Sequence, residues 1–152
     1  MATTANRGLP IMEAGQAQKH VTFNEALALI DEDGGRTTVD LDLSAALVTG
    51  PMFPAPGLIF GASWRVLSEI TFSGGGASWA LGDDGDGGGL SASASRYGSG
   101  LSAAAGSGWM GPLAPFPIYG PVSFRVTPNA GSITGGVVRL RAFWRTLSIP
   151  DA

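Results

Sequence analysis

The chain has 152 residues, enough for one domain with a core of its own, and a formal charge of −3 that offers no basic excess for neutralising nucleic-acid phosphates. Only 14% of residues are charged while 44% are hydrophobic, a shortage of surface charge that points to surface hidden in contacts with other chains. Cysteine is absent, so disulfides, thiolate chemistry and Cys-ligated metals are excluded.

Met1–Pro10 has no apolar run behind a basic start, so no signal peptide is expected. No stretch approaches the roughly 20 apolar residues of a membrane helix, so no membrane insertion is expected. Met1–Gly8 reads as an arm, and Ile11–Val21 as a segment with a helical turn or two. Thr22-Phe23-Asn24-Glu25 forms a capping box, in which Thr22 accepts from the Glu25 N–H and the Glu25 side chain reaches back. A helix of about three turns is predicted through Phe23, Leu27 and Ile30, stopped by Gly34-Gly35.

From Thr37 onward the period becomes two. Val39, Leu41 and Leu43 alternate with Thr38, Asp40 and Asp42; Val66, Ile70 and Phe72 share a face with Ser68 between them; Val122, Phe124 and Val126 alternate with Ser123 and Arg125; and Val138, Leu140, Ala142 and Trp144 alternate with Arg139, Arg141 and Phe143. Each is the pattern of a half-buried antiparallel strand. Leu58–Phe60, Ser78–Leu81 and Ser91–Ser95 are weaker strands. Gly82–Gly89 reads as a glycine–aspartate loop, and Gly98–Gly120 as a long Gly/Pro loop of the kind that serves function or an interface. The 24 glycines and 10 prolines fall between apolar runs as turn punctuation. The expected fold class is mainly β: an antiparallel β-sandwich-like domain over residues 37–152, preceded by a short N-terminal helical segment within residues 1–36.

Catalytic constellations are thin. His20 is the single histidine and has no nucleophile-elbow pattern beside it. The four glutamates are Glu13, Glu25, Glu32 and Glu69; Glu25 serves the cap, and Glu69 sits on the solvent side of a strand. No catalytic residue and no cofactor is expected. Asp83, Asp84 and Asp86 share one loop and form a weak calcium candidate, without the EF-hand pattern or its closing glutamate. The same loop has phosphate-loop-like glycines, but no Lys-Ser or Lys-Thr follows and its carboxylates would repel phosphate. Trp79 and Trp144 fall in strand patterns and belong to the core. Trp109, Phe116 and Tyr119 fall in the long apolar loop. They suit a contact with a neighbouring subunit, or, for Trp109 and Tyr119, stacking on a sugar. Gln16, Gln18, Lys19, His20, Asn24 and Glu25 gather hydrogen-bonding groups around the helix start. They suit a docking surface, although an ordinary exposed helix lead-in has the same composition.

The run Leu9-Pro10 … Ala14-Gly15-Gln16-Ala17-Gln18-Lys19-His20-Val21-Thr22-Phe23-Asn24-Glu25-Ala26-Leu27 resembles the opening signature "LP…AGQAQKxVTxNEAL" of a family found among phage tail-proximal genes and in the gene transfer agents of alphaproteobacteria. Gly61–Trp64, Ile70–Gly82, Arg96–Gly100, Pro117–Tyr119 and Gly131–Leu140 are similar to the glycine-and-aromatic rhythm of the family's C-terminal domain. The resemblance implies a virion component, assembled in the bacterial cytoplasm: a tail-fibre or attachment subunit that bridges particle to host surface. It also implies a homo-oligomer, a trimer as in tail fibres, contacting other tail, baseplate or capsid proteins, with cell-surface polysaccharide as a candidate receptor. A head spike, a glycan receptor-binding module and a capsule-degrading enzyme are the alternative expectations.

Overall fold

The computed structural model describes residues 34–147, and the predicted capped helix lies outside them. These residues form eight strands: β1 (Gly34–Asp42), β2 (Val48–Phe53), β3 (Gly57–Ser73), β4 (Ser78–Asp83), β5 (Ser93–Ser102), β6 (Gly108–Ile118), β7 (Val122–Pro128) and β8 (Ser132–Thr146). Among the described residues there is no helix, and so none long and apolar enough to cross a membrane.

The strands make two four-stranded sheets, ordered β1-β8-β3-β6 and β2-β7-β4-β5. Pairing is antiparallel for β3 with β6 and β8, for β7 with β2 and β4, and for β4 with β5. This strand order is that of the jelly roll, an eight-stranded double Greek key. Among the described strands, β4 and β5 alone are both consecutive and paired.

The core lies between the sheets because period two sends alternate side chains inward. Ile59, Trp64 and Val66 of β3 and Val138, Leu140 and Ala142 of β8 face Trp79 and Leu81 of β4 and Val122, Phe124 and Val126 of β7; all are buried. Phe53 and Tyr97 close one end around Phe124, with edge-on ring contacts at 5.3 and 5.2 Å. The alternations predicted for Val122–Val126 and Val138–Ala142 match this burial.

Three sequence expectations need correction. Leu58–Phe60 and Val66–Phe72 are parts of one long strand, β3, whose period breaks at register shifts near Phe60 and beyond Val66. β2 was not expected: Gly50 and Pro51 interrupt its pattern, and its pairing with β7 is irregular. The Gly98–Gly120 loop is instead the end of β5, a short turn and the whole of β6. β6 is an edge strand, where prolines at 112, 115 and 117 are tolerated because one side of the strand has no ladder partner.

Candidate functional site

Trp109, Phe116 and Tyr119 do not form one cluster. Trp109 pairs with Trp64 at one end of β6, while Ile118 pairs with Gly57 at the other. The interval from Trp109 to Ile118 is matched by Trp64 back to Gly57 on β3, so at about 3.3 Å per β3 residue Trp109 and Tyr119 lie on the order of 25 Å apart. The two residues therefore do not line one sugar-sized site within a single chain. Phe116 is half-buried against the core, and the Arg96 guanidinium sits 5.4 Å from its ring centroid.

Trp109 and Met110 make a bare patch at the start of β6, with 65% and 62% of their surfaces exposed. Successive strand residues point to opposite faces, so both faces of the sheet edge are uncovered at this point. A partner that wraps the edge would cover both side chains.

Tyr119, 73% exposed, stands at the corner between β6 and β7. The acidic loop fixes that corner. Asp86 accepts hydrogen bonds from the N–H groups of Gly88 and Leu90, which turn the loop, and from the Tyr119 N–H at 3.0 Å. These three donors hold its carboxyl below the usual range, the Tyr119 contribution being the largest. Gly120 passes so close that a Cβ there would lie 2.1 Å from the Asp86 carbonyl oxygen.

Asp83 is fully buried. It accepts from Arg96 Nε at 2.6 Å, the Tyr97 hydroxyl at 2.8 Å and the Gly85 N–H at 3.0 Å. Arg96 also donates to the Ser91 carbonyl. Burial, with the Asp83 charge and hydrogen bond, pushes the Tyr97 phenol far above its usual range. Asp84 pairs with Arg125 at 2.5 Å. The three carboxylates named as a calcium candidate thus have other partners, and no three acidic or histidine side chains among the described residues are grouped to hold a metal. They fasten loop to strand. Gln16, Gln18, Lys19, His20, Asn24 and Glu25 lie outside the described residues.

The outer face of the β1-β8-β3 sheet carries a second feature, one the sequence pattern left unassigned. Asp40 takes a two-pronged contact from Arg139, at 2.6 and 2.8 Å, and Arg141 donates to Thr38 Oγ1 at 3.0 Å. Each of Asp40 and Arg139 stabilises the charge of the other, through their hydrogen bond first. Arg36, Thr38, Val39, Asp40, Arg139 and Arg141 line a shallow basin of about 460 Å³. Arg65 of β3 lies directly across from Arg139. Strand alternation in the sequence marks Arg139 and Arg141 as outward-facing. Their meeting with Arg36 and Arg65 depends on strand neighbours nearly a hundred residues apart.

The chain matches no protein-family model and no curated protein.

Proposed function

We propose that the chain is a structural attachment subunit of a phage-like particle, working in a homo-oligomer and catalysing no reaction. Trp109 and Met110 on the open β6 edge are the observation that carries this reading. An indole and a thioether left bare on both faces of one edge strand are suited to burial against another subunit. The jelly roll adds support, since viral capsid domains use this architecture, though a fold by itself assigns no function. The similarity of Gln16–Leu27 to the phage and gene-transfer-agent signature supplies the particle context. In this reading residues 1–36 dock to the particle and the β-domain assembles around a threefold axis as a fibre or spike.

Light scattering on a sizing column tests the assembly. A trimer of the 15.4 kDa chain is expected, falling in Trp109→Ser/Met110→Ser to a monomer that still unfolds cooperatively in urea, at a midpoint that no longer depends on protein concentration. A wild-type monomer at all concentrations would remove the basis for a self-assembling fibre subunit.

A further inference from the structure

The outer face of the β1-β8-β3 sheet concentrates one sign of charge. Arg36, Arg65, Arg139, Arg141 and Arg145 place five of the chain's nine basic residues there. Two carboxylates share the face through β1. Asp42 is occupied by the Ser44 N–H and hydroxyl, and Asp40 is taken by Arg139. Glu69 is exposed farther along β3, past a register shift. Among the described residues, Arg36 and Arg65 have no hydrogen-bond or ion-pair partner. Arg65 and Arg139 are also directly opposed, a like-charge cross-strand pair that destabilises a sheet. Among the described residues a single carboxylate, Asp40, therefore serves the basin side chains and Arg65. An external anion would relieve that repulsion.

We propose that this face binds a polysaccharide bearing carboxylates. The basin is open and shallow, which suits a polymer lying across the sheet better than a small molecule that needs enclosure. The arginines sit about 7 Å apart along β8 and about 5 Å apart across to β3, on the scale of successive sugar residues. Guanidinium forks match carboxylates two-pronged, as Asp40 already demonstrates. Residues 34–147 hold seven arginines against six carboxylates, a net of +1. That balance fits a glycan with one carboxylate per sugar rather than the denser charge of duplex DNA. The choice of a saccharide rests on the attachment reading above.

Isothermal titration of the full chain with polygalacturonate, neutral dextran and duplex DNA tests the site. Polygalacturonate should bind at low salt and weaken as salt screens the contact, while dextran gives no heat. Arg36→Gln/Arg65→Gln breaks no hydrogen bond within the described fold and removes the Arg65–Arg139 repulsion, so it should not lower the urea midpoint, yet it should weaken binding about tenfold. Arg125→Gln, in the other sheet, should leave binding unchanged. The proposal is overturned by absent binding at low salt, by equal binding of the Arg36/Arg65 variant, or by tighter binding of DNA. The attachment reading fails separately: a monomer in light scattering that still binds polygalacturonate through these arginines removes the assembly and keeps the glycan site.

Discussion

Trp64 and Trp79 meet edge to face with 4.9 Å between ring centroids, yet their indole nitrogens fare differently. Trp79 Nε1 donates to the Ser102 carbonyl at 2.9 Å, tying β4 to the end of β5. Trp64 Nε1 is buried with no partner. Replacing each by Phe removes similar ring area, but only Trp79→Phe also breaks a hydrogen bond, although the Ser102 carbonyl keeps the Ser107 hydroxyl as a donor. Trp79→Phe should therefore be the more destabilising by about 1 kcal/mol in urea unfolding. Asp86 gives a second test. The N–H donors that hold its carboxyl low exist only in the folded chain, while an unfolded aspartate titrates near 3.9. Its contribution is fully present above that unfolded value and is lost as pH falls through the depressed folded one. The urea midpoint should thus drop between pH 5 and about pH 2.5. Asp86→Asn should start lower and fall less steeply, the remaining slope coming from Asp40 and Asp42, whose carboxyls are also held low.

The strands were legible where one face is buried and the other wet. β7 and the middle of β8 alternate cleanly because both lie inside their sheets, with neighbours on both sides. β6 was hidden because an edge strand tolerates proline and need not alternate. β2 was hidden by Gly50 and Pro51 at its register shifts. Of the candidate site, the exposure of Trp109 and Tyr119 was legible, but their separation was not, since it depends on Gly98–Gly120 being extended. The arginine basin was illegible for a different reason: β1, β3 and β8 become neighbours only through long-range pairing. At the β4–β5 pair, Gly82 has a backbone requirement that composition alone does not reveal. A Cβ there would lie 1.9 Å from the Ser93 carbonyl oxygen and 2.4 Å from the Ala94 carbonyl carbon. Both obstacles are main chain, so Gly82→Ala should destabilise the domain by about 3 kcal/mol, measured by urea unfolding.

At the scale of the molecule, the jelly roll sets the order in which anything can be buried. β1 finds its partner in β8, and the Asp40–Arg139 contact spans 99 positions of sequence. A chain made at about 5–20 residues per second would expose the apolar side of β1 for roughly 5–20 s before β8 exists. The first sheet thus closes only once β8 has emerged, in competition with the same strands of neighbouring nascent copies. The opposed Arg65 and Arg139 belong to the native register, so their repulsion slows the joining of β3 to β8 within one copy as much as between two.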